Sequence, residues 1–129
     1  MNDPIADMII RIKNALMAKH DTVMVPHSKM KQKIGEILVA TKYVEECKVE
    51  NKMPQSELVI KLRYVGRLAA ITDVKRVSTP GRRVYTSSKK VPRALGGYGI
   101  TIVSTSKGVM TDKDAKKQNL GGEVLCQIW

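Results

Sequence analysis

A row of short hydroxyl side chains followed by one cation could hold a ligand by hydrogen bonds. The row consists of Ser104, Thr105, Ser106 and Lys107. It follows the β-branched run Ile100–Val103, which predicts a buried strand, and it precedes Gly108. Because Ser and Thr bond locally to the backbone and glycine turns freely, the row itself predicts a loop. We therefore expect a rigid strand to deliver these donors and acceptors to a surface that contacts the ligand.

The same hydroxyls could act as nucleophiles, but the sequence places no obvious base near them. The two histidines, His20 and His27, lie in the other half of the chain. No convincing pair of catalytic carboxylates, no metal-ligand cluster and no Walker loop is present. The glycine-rich stretch Leu95–Gly99 lacks the dinucleotide-binding spacing and predicts only a turn. We therefore expect a protein that is not an enzyme and that holds neither a cofactor nor a metal ion.

A second candidate surface is the basic segment Arg82–Arg93, in which five cations surround one tyrosine and three hydroxyls. The tyrosine is Tyr85, and Lys89 is one of the cations. An exposed tyrosine beside Arg and Lys can stack on a base or a sugar while the cations hold phosphates. The alternative is that Tyr85 packs in the core. The sequence leaves both interpretations of Tyr85 open.

The start of the second predicted helix carries three lysines, Lys29, Lys31 and Lys33. They follow Ser28, a suitable N-cap residue. Cations at a helix N-terminus oppose the macrodipole, so the pattern favours a phosphate bound there by free N–H groups and ammonium charge. The alternative is that these lysines simply extend into water.

The overall charge indicates a polyanionic partner. The chain of 129 residues has 23 Lys and Arg against 12 Asp and Glu, a formal net charge of +11. Such an excess is typical of proteins that bind nucleic acid or, less often, an anionic membrane; the alternative is a solvated basic surface. No recognition helix for DNA stands out, and neither amphipathic helix is strongly basic along one whole face. No targeting segment and no apolar run of about 20 residues is recognisable.

The two cysteines, Cys47 and Cys126, lie far apart in strand-like runs and form no C-x-x-C pattern. Zinc binding through thiolates is therefore not expected. We expect two buried and reduced thiols, as in a protein of the cytosol.

The hydropathy pattern predicts an α+β fold of two small packed subdomains, residues 1–64 and 65–129. The first is helix-strand-helix-strand-strand, and the second is mostly antiparallel β with one short helix. The predicted elements are a helix from Pro4 to about His20, strand Thr22–Val25, a helix at about 29–41, strands Tyr43–Val49, Glu57–Tyr64, Ile71–Val77 and Ile100–Val103, a helix at about Asp112–Gln118, and strand Glu123–Trp129. The link Val65–Ala70 is expected to hold at most a helical turn. The apolar stripe of the second helix is expected at Met30, Ile34, Ile37, Leu38 and Thr41.

Glu123 is an acid among many cations, directly after Gly121-Gly122. It could pair with Lys107 or with Arg83. It could instead orient the hydroxyl row, or accept a hydrogen bond from a base amino group. The sequence leaves these roles of Glu123 open.

Several stretches resemble the family of small-subunit ribosomal protein eight, bacterial type. They are Asp3–Ala15, Val25–Lys31, Gly99–Asp112, and Ala115 with Gly121–Cys126. The resemblance covers essentially the whole chain. Asn119 stands where many members have glycine, and asparagine tolerates the same left-handed conformation.

The resemblance implies a structural protein of the small ribosomal subunit, in the cytoplasm. Members of the family bind the central domain of small-subunit ribosomal RNA directly and early in assembly. Some members also repress translation of their own operon by binding messenger RNA that mimics the ribosomal site, which is the alternative function here. Neighbouring small-subunit ribosomal proteins are expected as further partners.

The resemblance also implies which residues contact RNA, with the main site in the second subdomain and auxiliary contacts in the first. The residues implied by the resemblance are Ser104, Thr105, Ser106, Lys107, Tyr85 and Glu123 in the second, and Lys29 and Lys31 in the first. To the second we add Gly122, next to Glu123, and Lys89 of the basic segment as expected contacts. Short hydroxyls suit sugar 2′-hydroxyls and minor-groove base edges. The cations supply affinity without reading the sequence.

Overall fold

The chain divides into two compact units in the computed structural model, which describes residues 3–90 and 99–129. One unit consists of residues 6–72, and the other of residues 73–129 with the residues up to Ile5. The predicted turn Leu95–Gly99 lies, as far as Tyr98, outside the described residues.

The elements up to residue 72 follow the predicted order helix-strand-helix-strand-strand, with an added hairpin. They are α1 (Pro4–Met17), β1 (Thr22–Pro26), α2 (Lys29–Ala40), β2 (Val44–Glu50), β3 (Glu57–Leu62), β4 (Tyr64–Val65) and β5 (Leu68–Ala69). Strands β1, β3 and β2 form an antiparallel sheet in that spatial order. In the central strand β3, Leu58, Ile60 and Leu62 are buried in alternation, as one face of a strand requires.

The buried face of α2 differs from the predicted stripe. Lys31, Ile34, Gly35 and Leu38 are buried, whereas Met30 is 40% exposed. The buried set has the spacing i, i+3, i+4, i+7. It confirms Ile34 and Leu38 of the predicted stripe, whereas Ile37 and Thr41 are only half-buried. Lys31 and Gly35 were missed because a cation and a glycine carry no apolar signal.

The segment after β3 belongs to the unit of residues 6–72, although the boundary was predicted at 64/65. Strands β4 and β5 pair as a short hairpin, with Gly66 at a φ of 65°, where a helical turn was considered. The Tyr64 hydroxyl donates to the His20 carbonyl at 2.7 Å, and the Ala70 N–H donates to the Arg63 carbonyl at 2.9 Å. The first bond ties the hairpin to the turn after α1, and the second continues the β4–β5 pairing by one residue. The two compact units divide between 72 and 73.

The elements from residue 73 onward confirm an antiparallel sheet with one short helix. They are β6 (Val74–Arg76), β7 (Tyr85–Thr86), a 3₁₀ turn (Ser88–Lys90), β8 (Ile100–Thr105), β9 (Gly108–Thr111), α3 (Asp112–Lys117) and β10 (Gly122–Ile128). The sheet order is β6-β10-β8-β9, and β7 also pairs with β10. Strand β6 is shorter than the predicted strand Ile71–Val77.

The core of this sheet comes from the β-branched run of β8 and from β10. Ile102, Val103, Val124 and Ile128 have no measurable exposure. Helix α3 begins at its N-cap Thr111, whose hydroxyl accepts from the Asp114 N–H at 3.2 Å. It ends at Lys117, and Asn119 takes the expected left-handed conformation with φ 56°.

Both cysteines are free thiols. Cys126 is fully buried, and burial raises its pKa to about 12. Cys47 is only half-buried, so the predicted burial is complete for Cys126 alone. Burial and the nearby Glu36 also raise the pKa of Cys47.

Candidate nucleic-acid interface

The hydroxyl row forms the end of a β-hairpin. Ser104 and Thr105 are the last residues of β8, Ser106 and Lys107 form the turn, and β9 begins at Gly108 with φ 112°. The positive φ explains the glycine, because other residues rarely adopt it. The expected loop is therefore only two residues long, and the chain pairs again directly after it.

The threonine of the row holds the turn together. Its hydroxyl donates to the Gly108 carbonyl at 2.8 Å and accepts from the Lys107 N–H at 3.2 Å. Thr105 is half-buried, whereas Ser106 and Lys107 are exposed. The two tip side chains are therefore presented to solvent on a turn that is stabilised from within.

Three of the predicted site residues form one row across the sheet. Glu123 of β10 lies opposite Tyr85 of β7 on one side and opposite Ser104 of β8 on the other. Directly opposed residues of neighbouring strands project on the same face, so these side chains share a surface. Tyr85 is 71% exposed, so the interpretation that it packs in the core is wrong.

The Glu123 carboxylate is held by two donors on the segment before β7. Arg83 Nη1 lies 3.1 Å from Glu123 Oε2, and the Ser78 hydroxyl donates to the same oxygen. Of the two ion-pair partners considered, the structure gives Arg83 rather than Lys107. Glu123 is half-buried at the centre of the row, where its carboxylate accepts hydrogen bonds from both Ser78 and Arg83.

Gly122 allows β8 to approach β10 at the site. A Cβ at this position would overlap the Ser104 carbonyl oxygen. Gly121 is similarly confined, because its Cβ would overlap the Thr86 carbonyl oxygen. The two glycines therefore let the strands on both sides of β10 close around its first residues.

The basic segment is described as far as Lys90. Arg82 and Arg83 are exposed before Tyr85, and the 3₁₀ turn that contains Lys89 follows β7. The turn is anchored where the Ser88 hydroxyl donates to Asn119 Oδ1 at 2.8 Å. The Lys89 side chain and the predicted cation Arg93 lie outside the described part.

The lysines at the start of α2 do not share one environment. Ser28 is the N-cap, and its hydroxyl accepts from the Lys31 N–H at 3.2 Å. Lys29 and Lys33 are exposed, whereas Lys31 is only 6% exposed. Desolvation lowers the pKa of Lys31, the Asp7 carboxylate opposes that shift, and Arg11 adds to it. The accessible cations at this helix start are thus Lys29 and Lys33.

Ser78 is the residue of this region that the sequence did not indicate. It is fully buried, yet its hydroxyl reaches Glu123, 45 positions later in the chain. A serine before the Thr79-Pro80-Gly81 turn has the composition of any loop, so no local signal distinguishes it.

Within residues 3–90 and 99–129, no group of three or more His, Cys, Asp and Glu side chains is arranged to hold a metal ion. No helix in those ranges combines the length and the apolar character that crossing a membrane requires.

Comparison with known proteins identifies the family. The model of the family Ribosomal protein S8 matches residues 3–129. A protein of Dictyoglomus turgidum named small ribosomal subunit protein uS8 is 53% identical over 129 residues, covering 100% of this chain and 98% of the relative. Proteins of the same name from Trichormus variabilis and Mycoplasmopsis pulmonis are 52% and 48% identical, each over 98% of the relative and at least 99% of this chain. The chain therefore belongs to the ribosomal protein S8 family.

This membership confirms the family predicted from the sequence motifs. The relatives are ribosomal proteins and not enzymes, in agreement with the prediction. The α+β architecture, with helices and strands first and an antiparallel sheet with one short helix after them, is consistent with that family.

Proposed function

We propose that this chain is a constituent of the small ribosomal subunit in the cytoplasm and binds the central domain of its ribosomal RNA directly. Its relatives are named as proteins of that subunit. The observation that supports the RNA contact is the cross-strand row of Tyr85, Glu123 and Ser104. This row ends beside the exposed hairpin tip of Ser106 and Lys107.

This surface suits RNA that departs from a regular duplex. Regular RNA has a deep, narrow major groove that side chains do not read, and its shallow minor groove displays 2′-hydroxyls. The small hydroxyls of Ser104 and Ser106 can donate to and accept from those groups. Tyr85 offers an exposed ring for a base that has left the regular stack. Together they favour recognition of an irregular RNA shape.

The cations supply attraction that does not depend on sequence. A net charge of +11 releases counterions from phosphates when RNA binds. Lys107 is exposed at the hairpin tip, Lys89 is a further expected RNA contact from the sequence, and Lys29 offers an auxiliary backbone contact in the unit of residues 6–72. Lys31 was expected to help Lys29, and its burial makes it the weaker candidate. Contacts by both units would fix the geometry of the RNA during assembly, next to neighbouring ribosomal proteins.

The test is filter binding and footprinting on a transcript of the central domain, with Ser106→Ala as the variant. Removing an exposed hydroxyl leaves the fold intact, and we expect specific binding to weaken by about 1–3 kcal/mol, the cost of leaving its RNA partner unpaired. Thr72→Ala, which removes an exposed hydroxyl from the other unit, should bind as the wild type does. Equal binding to the transcript, to regular duplex RNA and to duplex DNA would contradict the proposal.

The same surface supports a second candidate function, repression of the chain's own operon through messenger RNA. Recognition by shape and by 2′-hydroxyls admits any RNA with the same irregular fold. Competition for the protein between the operon transcript and the central domain tests this use, and Ser106→Ala should weaken both complexes in parallel. A transcript that binds without competing would contradict it.

A further inference from the structure

Ser78 lies in the loop between two strands that share one edge of β10. Strand β6 pairs with Ile128–Cys126, and β7 pairs with Glu123–Gly122. Between these pairings the N–H groups of Val77 and Ser78 both donate to the Leu125 carbonyl, at 3.0 and 3.4 Å. The loop therefore leaves the edge of β10 directly after Ser78 and returns at Val84, whose carbonyl accepts from the Val124 N–H at 2.8 Å.

The Ser78 hydroxyl links the two ends of this loop to each other and to the Glu123 carboxylate. It donates to Glu123 Oε2 and accepts from the Val84 N–H at 3.2 Å. Ser78 has no measurable exposure, so water does not compete for either bond. Arg83, the residue before Val84, reaches the same Oε2.

These bonds use one oxygen of Glu123. Among the described residues, both donors to the carboxylate bond to Oε2, and no donor forms a hydrogen bond with Oε1. A carboxylate fixed through one oxygen presents the other as an acceptor in a defined direction, because its rotation is blocked.

We propose that Ser78 is a positioning residue that fixes Glu123 and the approach to Tyr85, so that Glu123 Oε1 accepts a hydrogen bond from an RNA amino or 2′-hydroxyl group. The proposal rests on the proposed function and deepens it, since Ser78 itself is enclosed and touches no RNA. Val84 directly precedes Tyr85, so the bond to its N–H also sets where the Tyr85 strand begins.

The test is a double-mutant cycle with Ser78→Ala and Glu123→Ala, measured as affinity for the central-domain transcript together with the melting temperature. We expect Ser78→Ala to lose about tenfold in affinity, the scale of one buried hydrogen bond to a charged group. With Glu123→Ala already present, the further loss should be less than about twofold, because no carboxylate remains to be positioned. The salt dependence should not change, because no charged group is removed by Ser78→Ala.

Two matched variants separate positioning from stability. Thr101→Val removes another fully buried hydroxyl of the same sheet, one that accepts from Gln127 at 3.3 Å, and should retain wild-type affinity. Ser78→Thr keeps the hydroxyl but adds a methyl group to a filled site, so it should perturb stability more than affinity.

Each other outcome overturns the proposal. The Ser78 hydroxyl would be purely structural if Ser78→Ala lost the same affinity with and without Glu123→Ala. The same conclusion would follow if Thr101→Val lost as much affinity as Ser78→Ala, or if Ser78→Ala failed to fold. If the wild type itself does not prefer the central-domain transcript, the proposed function fails instead, which the wild-type control reveals before any variant is compared.

Discussion

Gly122 faces the Ser104 carbonyl so closely across the β8–β10 ladder that a Cβ would overlap the oxygen. Gly122→Ala must therefore push the two strands apart, and we expect the free energy of unfolding to fall by about 1–3 kcal/mol, as in other overpacked sites. Gly81→Ala is the control, because a Cβ there meets nothing within 4 Å. Chemical denaturation of both variants measures the difference. Equal stabilities would show that the strands tolerate the extra atom.

Tyr85→Leu should lower RNA affinity without lowering the melting temperature. The ring is 71% exposed, so the folded protein loses little packing, whereas a stacked base loses about 1–3 kcal/mol. Tyr85→Phe keeps the ring and should retain most of the affinity. Thermal melts and filter binding give the two quantities. A large fall in melting temperature for Tyr85→Leu would assign the ring a structural role instead.

Lys29→Ala should reduce the salt dependence of RNA binding. Neutralising one phosphate contact lowers the slope of log K against log salt by about one unit or slightly less. Lys48→Ala removes another exposed cation of the same unit, one that lies 3.5 Å from Glu46, and its slope should match that of the wild type. Titrations at several salt concentrations compare the two. The same slope for both variants would reject a phosphate contact at Lys29.

Lys31→Met should stabilise the protein most near neutral pH and progressively less as the pH rises. Desolvation lowers the pKa of Lys31 in the folded state, so this lysine binds a proton more readily in the unfolded chain than in the folded protein. The stability of the wild type therefore increases with pH in the window below the unfolded lysine pKa of about 10.4. Methionine removes that dependence while keeping a long side chain in the buried face of α2.

Denaturation at a series of pH values, taken as the difference between wild type and Lys31→Met, isolates this one group from the tyrosines and cysteines. Lys33→Met is the control, because Lys33 is exposed two residues later. A difference between wild type and Lys31→Met that stays constant with pH would contradict the assigned cause.

The sequence predicts the long elements well because their signals are local. The β-branched run before Ser104 is a buried strand. The helical spacing of α1 predicts one apolar face, which is buried except at the half-buried Leu16; its residues are Ile5, Met8, Ile9, Ile12 and Leu16. The short pairings were missed because two-residue strands such as β4 and β7 carry no periodicity. Strand β9 was missed for a related reason: its pairing depends on a turn of only Ser106 and Lys107.

The site residues also fall into those that the sequence indicates and those that it does not. Hydroxyls, glycines and cations are visible as residue types, so Ser106, Lys107 and Tyr85 could be selected from the chain, and the structure exposes all three. Their relation to Glu123 depends on strand register, which brings residues about 20 to 40 positions apart into one row. Ser78 and Lys31 are defined by burial and by distant partners, which single-residue chemistry does not reveal.

Strand β10 is translated after every strand with which it pairs. Because a ribosome adds residues in order, β6, β7 and β8 are made before the β10 backbone with which they pair exists, and only β8 has another partner, β9, by then. The unit of residues 6–72, in contrast, has all three strands of its main sheet before β6 is made. During synthesis that unit can fold first, and the surface carrying Tyr85 assembles only when the last strand arrives.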